Sequence, residues 1–477
     1  MTGGAVAAID LGASSGRVVL GRIDDGIVRL DILERFANTP VRVWEGSGSG
    51  LHWNLLELYR PILQGLRRAV AAEPGLRSIG IDSWGLDYGI LRDGALLGNP
   101  YSYRDERTAG GVRATHELIA PEELYAISGL QFMPINSIYQ FTADRLAGRL
   151  QPGDTALLIP DLIGYWLTGE VIAERTNAST TGLLDVRART WSASLADRLG
   201  LSAGLLPPIV DPGTEVGTLL RPVEVEVGAS VPVVTVGSHD TASAVVGVPA
   251  LDDDYAYISC GTWALVGVEL DGPVLDDAAR VANFTNEAGL DGRIRFLQNI
   301  TGLWLQSESI RTWERDGRDI DLTALLEAAE ALGTGSLFDA NDPRLLPPGD
   351  MPARIAQCCR EAGQPVPQNP AEFVRAINQS LAEAFAVAVR TAADLSGKDV
   401  KVIHVVGGGS QNALLCRLTA DRSGLPVVAG PVEATALGNV MSQARTAGLV
   451  TGGLDTLRAT VARSTSLRRY EPRSGAR

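Results

Sequence analysis

Asp240 stands in the run Gly237-Ser-His-Asp-Thr241, after the apolar stretch 232–236 and before the helix-forming stretch 241–246. A strand that ends in Asp and hands over to a helix sets a carboxylate at the C-terminal edge of a sheet, where ligands of α/β proteins bind. A carboxylate there can take the proton of a hydroxyl nucleophile. It can also cap the helix that follows, by accepting from its first N–H groups. On local grounds alone capping is the stronger reading. His239, one of four histidines, reads by itself as a structural histidine.

Three further runs could hold a ligand. In Asp10-Leu-Gly-Ala-Ser-Ser-Gly-Arg17, small residues after a strand-end Asp leave backbone N–H groups free to face phosphate oxygens. Ser14 and Ser15 add hydroxyl donors and Arg17 a planar cation. Cys260-Gly-Thr-Trp263 has the same design, with Thr262 as its hydroxyl. In Gly407-Gly-Gly-Ser-Gln-Asn412, three glycines after an apolar strand let the backbone approach a flat ligand. The spacing is not GxGxxG, and no acidic residue follows where it would read a ribose, so this is not a Rossmann site. Each run reads equally as an ordinary tight turn.

The segments Asp82-Ser-Trp-Gly-Leu-Asp87 and Tyr103-Arg-Asp-Glu-Arg107 look exposed and polar, as places for a small substrate. Asn299 lies in Gln298-Asn-Ile-Thr-Gly-Leu-Trp304, and Trp84 and Trp304 could stack on a sugar or fill the core. No cluster has zinc spacing. Mg2+ that arrives on a nucleotide needs one or two carboxylates plus waters, and Asp10 and Asp240 are the natural pair.

The elements that must position these groups alternate between strand and helix. Strands are expected at 6–9, 17–23, 28–34, 78–82 and 88–91, and helices at 55–72, through most of 121–150, and at 160–167. The strand–glycine turn–strand unit at 10–16 returns at 259–263, which suggests two lobes built on one plan. The polar break Leu251-Asp-Asp-Asp254 marks the boundary, giving lobes at 1–250 and 251–445 and an extension at 446–477. In the second half Asn369, Pro370 and Glu372 form a helix start with a capping box. Phe373, Ile377, Leu381 and Phe385 mark its buried stripe, and Gly397 its end. A strand at 400–406, a helix at 413–423 and a helix from Ala434 follow. The Arg-rich tail from Arg463 reads as frayed.

The 477 residues suffice for two large domains, and 45% apolar with 21% charged residues is ordinary for a soluble enzyme. A net charge of -14 argues against a nucleic-acid partner but not against a nucleotide, whose phosphates backbone N–H groups can hold locally. Lys398 and Lys401 are the only lysines, which excludes a Walker-type loop. Cys260, Cys358, Cys359 and Cys416 form no CxxC pair and read as the reduced thiols of a cytoplasmic protein. The N-terminus, 1–8, lacks a basic signal region and reads as a strand, and no apolar run reaches the ~18–20 residues of a membrane span.

The ordered set DLGASSGR, SIGIDSWGLD, YRDERT, GSHDTASAV, SCGTWALVG and VVGGGSQN resembles the FGGY carbohydrate kinases, from about Val6 to Met441. It is most similar to the branch that phosphorylates L-rhamnulose. The resemblance implies an α/β, actin-like ATPase (ribonuclease H-like) fold with two lobes around a central cleft. It implies ATP with Mg2+ as cofactor and a small ketose as substrate, L-rhamnulose before fuculose, ribulose or xylulose, in a monomer or small homo-oligomer without nucleic acid or membrane. Ala13, Ser14, Ser15, Gly16, Arg17, Thr262, Gly407, Gly408 and Gly409 would contact ATP. Gly85, His239, Asp240, Thr241 and Asn299 would contact the sugar, with Asp240 as proton acceptor. The family pattern places a nucleotide-contacting Gln where this chain has Ser307, and Gln306 comes one position early. That is about a quarter turn on a helix.

Overall fold

The structure, a computed structural model, describes residues 3–46 and 48–473. Met1 and Thr2 of the expected N-terminal strand and residues 474–477 of the tail lie outside that range.

The chain divides into two compact units. The first comprises Met1–Leu251, Glu269–Phe296 and Ala434–Ser464; the second comprises Asp252–Val268, Leu297–Glu433 and Thr465–Arg477. The first crossing falls in the polar run after Leu251. The later ones depart from a linear division at 445, because two late segments return to the first unit. Helix packing explains the second return. A Cβ on Gly438, in the helix Ala434–Thr446, would lie 1.7 Å from the Ser243 carbonyl oxygen of the helix Asp240–Val246. One on Gly247 would lie 2.3 Å from the Ala434 carbonyl oxygen. Glycine at both crossing points lets the two backbones touch. Val246, Leu437, Val440 and Met441 then join Val6, Ala8 and Val19 in one core.

A six-stranded sheet organises the first unit, in the order Glu215–Thr218, Pro232–Val234, Ile79–Ser83, Gly4–Leu11, Ser15–Asp24, Ile27–Ala37. Pro232–Val234, Ile79–Ser83 and Gly4–Leu11 run parallel. Their C-terminal ends therefore meet at one edge, the favoured ligand edge of such a sheet. Gly4–Leu11 is buried from Ala5 onward, which is why it reads as a continuous apolar run rather than an alternating one. The stretch 121–150, expected to be mostly helical, carries two helices, Pro121–Ser128 and Ser137–Leu146. Gly129, at φ 62°, ends the first.

The second unit carries the same arrangement. Tyr255–Cys260 pairs antiparallel with Trp263–Leu270 and parallel with Val402–Val406. Its long helix, Pro370–Ser396, starts where Asn369 accepts from the Glu372 N–H at 3.1 Å and ends at Gly397, φ 71°. The returning Glu372 carboxylate takes the N–H of Gln368 (2.7 Å), one residue ahead of the cap. The tail is not frayed through Arg473. Arg468–Tyr470 adds antiparallel to Val427–Ala429, and Arg473 donates from its backbone N–H and Nε to Asp421. An open strand edge offers the tail backbone partners that no local pattern reveals.

Candidate active site

Three strand ends of the first unit are stitched together by the chain that follows them. Trp84 N–H donates to the Leu11 carbonyl (3.1 Å), and Ser83 N–H to that of Ser238 (2.8 Å). This brings Asp10, Asp82 and Asp240 to the same edge. Asp10 is the register partner of Asp82 on one side and of Arg17 on the other. Arg17 Nε and Nη2 lie 2.8 and 2.7 Å from Asp10 Oδ2.

The turn between the first two strands closes with Gly12 N–H donating to Ser15 O at 2.8 Å. Ala13 is half-buried, and Ser14 and Ser15 are exposed. Gly16 is buried under Phe36, which a Cβ would meet at 2.3 Å. Asn38, from beyond the third strand, braces the turn through Ser14 O (3.0 Å) and Gly12 O (2.8 Å). Sequence reasoning missed Asn38, since nothing local ties it to a turn 26 residues away.

Asp240 is the first residue of its helix, while His239 holds the N-cap position and makes no side-chain cap. The capping alternative therefore does not describe it. Its carboxylate accepts from Thr241 Oγ1 (3.2 Å), lies 3.5 Å from His239 Nε2, and keeps 29% of its surface accessible. Burial pushes its pKa up, Asp10 adds to the rise, and His239 opposes it. A carboxylate raised in this way is a stronger proton acceptor than an ordinary Asp. The turn ahead of it is braced by the fully buried Glu174, which accepts from Ser238 N (3.1 Å) and Ser238 Oγ (2.7 Å). His239 N–H donates to Thr176 Oγ1 at 3.2 Å.

Asp82 is wholly buried, and its Oδ2 accepts from Asn439 Nδ2 at 2.5 Å. Burial and then the neighbouring Asp10 push its pKa well up. Of the two segments expected to be exposed, the first has no exposed residue and the second exposes only Glu106. Ser83, Trp84, Asp87 and Tyr103 are buried, and only Gly85 and Leu86 of the first run are half-buried. Asp87 is the reason. Its Oδ2 accepts from Trp53 Nε1 (2.6 Å), Trp84 Nε1 (3.0 Å) and Tyr103 N (3.1 Å), and its Oδ1 from Gln140 Nε2 (3.0 Å). Burial nonetheless raises its pKa to about 6. Asp105 likewise turns inward, onto Leu51 N–H at 2.8 Å. Trp84 and Trp304 are both core residues.

The remaining candidates belong to the second unit. Thr262 lies half-buried in the two-residue turn Gly261-Thr262, closed by Gly261 N–H on Trp263 O at 2.8 Å. Its carbonyl accepts from Trp304 N–H (3.2 Å) at the start of the helix Trp304–Arg315. Gly407, at φ 79°, begins a tight turn through Gly408 and Gly409. A Cβ on Gly409 would meet Cys260 Sγ at 2.4 Å, so glycine lets this turn lie directly against the hairpin strand. Gly408 is exposed with open space around it. Asn299 is half-buried on the strand Ile294–Thr301. Gln306 is buried and accepts from Asn378 Nδ2 (3.4 Å), while Ser307 on the next helical position is exposed. The quarter-turn shift thus commits Gln306 to the interior.

Among the described residues, no three His, Cys, Asp or Glu groups gather so as to hold a metal ion. No helix among them is long and apolar enough to cross a membrane.

The sequence matches the N-terminal domain of the FGGY family of carbohydrate kinases over residues 5–247 and the C-terminal domain over 256–447. A rhamnulokinase of Bacteroides thetaiotaomicron is 40% identical over 474 residues, covering 98% of this chain and 96% of that protein. One from Pectobacterium carotovorum is 43% identical over 475 residues, covering 98% and 93%. The gluconate kinase of Lactobacillus acidophilus superposes with a TM-score of 0.78 at 16% identity, over 100% of this chain and 95% of that one. The glycerol kinase of Plasmodium falciparum, solved with ADP, gives 0.75 at 15% identity, over 98% and 94%. These neighbours share the actin-like ATPase fold. With family models spanning both halves and strand-edge carboxylates beside a glycine hairpin, the chain belongs to the FGGY family of carbohydrate kinases.

Proposed function

We propose that the chain transfers the γ-phosphoryl group of ATP to O1 of L-rhamnulose, giving L-rhamnulose 1-phosphate and ADP. The observation that carries the choice of sugar is the identity of 40% and 43% to proteins named rhamnulokinase along 98% of the chain. In the transfer, the bond from the γ-phosphorus to the leaving ADP oxygen breaks as a bond to the sugar oxygen forms. The proton of that hydroxyl passes to Asp240. Little covalent help is needed in such a transfer, and positioning with charge neutralisation does most of the work.

Ala13, Ser14, Ser15, Gly16 and Arg17 would hold phosphate oxygens, as would Thr262. Gly407, Gly408 and Gly409 would line the adenosine. Gly85, His239, Thr241 and Asn299 would orient the ketose against Asp240. Asp10 and Asp240 are hard oxygen donors that interact with one another at the sheet edge, and this fits Mg2+, which takes one or two carboxylates and otherwise phosphates and water. Bound there with ATP, the ion would neutralise phosphate charge. Asp10 and Asp240 would be its protein partners.

The test is a panel of L-rhamnulose, L-fuculose, ribulose and xylulose with coupled detection of ADP. We expect kcat/KM to be highest for L-rhamnulose. Equal rates across the panel, or a preference for another ketose, would overturn the choice of sugar. Binding of ATP and sugar without ADP release would overturn the enzyme reading itself.

A further inference from the structure

We propose that Glu174 and Thr176 are positioning residues for the phosphoryl transfer: together they clasp the backbone of Ser238 and His239 and so fix where Asp240 presents its carboxylate. This rests on the reading of Asp240 as the proton acceptor.

The strand Pro232–Val234 stops short of the site. Beyond it, Ser238 and His239 meet the sheet through a single bridge, His239 to Ser83, in which Ser83 N–H donates to Ser238 O at 2.8 Å. The N–H groups of Ser238 and His239 go instead to side chains from 174–177. Ser238 N–H donates to Glu174 Oε2 at 3.1 Å, and Ser238 Oγ donates to the same oxygen at 2.7 Å. His239 N–H donates to Thr176 Oγ1 at 3.2 Å, and that hydroxyl donates in turn to Glu174 Oε2 at 2.5 Å. Asn177 Nδ2 reaches Ser238 O at 3.4 Å. With Ala242 N–H on His239 O at 2.7 Å, every backbone N–H and carbonyl of Ser238 and His239 is bonded. The clasp is itself anchored, since Glu174 N–H donates to Asp161 Oδ1 at 3.2 Å, in the helix Ile159–Thr168.

Helix capping does not account for this arrangement. As N-cap of the short helix Arg175–Ala178, Glu174 accepts from the N–H groups of Thr176 (2.9 Å) and Asn177 (3.2 Å). Ser, Asp or Asn commonly fills that role. The longer side chain of Glu174 also reaches Ser238, 64 residues further on. Glu174 and Thr176 have no accessible surface. The partners of the Glu174 carboxylate are N–H and hydroxyl groups rather than a basic side chain. Burial pushes its pKa up and these donors oppose the rise. A carboxylate held in the interior this way is costly for stability. What it secures is geometry. Asp240 follows directly on His239, the N-cap of its helix, and a ~1 Å misplacement of a reacting group can slow a reaction about 100-fold.

Two variants of the full chain test this. Thr176→Val keeps the shape of the side chain and removes the hydroxyl that receives the His239 N–H; Thr176→Ser keeps the hydroxyl. Hydrogen exchange over 235–242, followed by mass spectrometry, needs no substrate. We expect exchange there about tenfold faster or more in Thr176→Val, and close to native in Thr176→Ser. With L-rhamnulose, kcat should fall about 10–100-fold in Thr176→Val while the KM for ATP stays within about twofold, and Thr176→Ser should recover most of kcat. Glu174→Gln should loosen the same stretch and lower kcat. Combined with Thr176→Val it should cost less than the product of the two separate losses, because both act through one clasp. Glu174→Gln also carries the test should Thr176→Val not fold. Unchanged exchange over 235–242, a kcat within about twofold of native, or a Thr176→Ser as slow as Thr176→Val would overturn the proposal. Should the unaltered protein phosphorylate no ketose, the functional reading falls, while hydrogen exchange still judges the clasp.

Discussion

Arg17 and Asp10 face each other across the first hairpin, and both Nε and Nη2 of the guanidinium approach one carboxylate oxygen, Oδ2, at 2.8 and 2.7 Å. The cation that the sequence offers to phosphate is thus already tied to the carboxylate that the sequence offers to a metal. Arg17 keeps 21% of its side chain accessible against 4% for Asp10, so the accessible side of the pair is the guanidinium. Charge-assisted bonds of this kind are worth about 1.5–3 kcal/mol. Arg17→Ala should raise the KM for ATP by about tenfold or more on that scale. Arg17→Lys should recover only part, because an ammonium is a point charge without the planar fork. Steady-state kinetics with ATP varied at saturating sugar would show it; an ATP KM unchanged in Arg17→Ala would remove Arg17 from the nucleotide site.

Asp240→Asn removes the proton acceptor and leaves the helix start nearly isosteric. We expect kcat to fall by ~10²–10⁴ with ADP affinity and melting temperature kept. Rapid-quench assay of sugar phosphate, with calorimetric titration of ADP, separates the two. A variant with more than about a tenth of the native rate is incompatible with the base role.

Asp87 supplies a pH signature of stability. Its folded pKa, about 6, lies above its ordinary value of 3.8, with burial the main cause. A carboxyl raised in this way binds its proton more tightly in the folded state. Its contribution is complete below pH ~4 and is lost as pH rises through ~6. The difference between the two values corresponds to ~3 kcal/mol. The stability of the native protein relative to Asp87→Asn should therefore decline between about pH 4 and pH 7. Denaturant melts of both proteins across that range would test it, and a constant difference would show that Asp87 ionises normally.

Gly438→Ala should be among the most harmful single-methyl additions in the chain. The new Cβ would lie 1.7 Å from Ser243 O and 3.1 Å from Gly247 N, both backbone atoms that cannot turn aside. Overpacking of this sort typically costs ~1–3 kcal/mol and sometimes more. Thermal melting should show a clear drop. Gly408→Ala, facing open space in the turn after Val402–Val406, is the control expected to leave the melt unchanged.

Local chemistry determined a good deal of this protein by itself. The two hairpins, the helix start at Asn369, the left-handed stop at Gly397 and the placing of Asp240 after a buried strand all follow from short stretches of neighbouring residues. Capping, turn formation and apolar periodicity act over that range, so they are written in the sequence. The order of the motifs likewise carried the family.

Tertiary structure decided the rest. Asp82 and Asp87 look like polar surface in the sequence. They are interior because Asn439, Trp53, Tyr103 and Gln140 reach them from elsewhere in the chain. His239 reads locally as a structural histidine, and its surroundings come from Glu287 and Arg295, on a distant stretch of chain. The helix at Ala434–Thr446 rejoined the first unit through glycines at 247 and 438 whose meaning appears only when the two backbones meet. Burial and pairing between distant residues depend on which surfaces pack, and no property of a single segment fixes that.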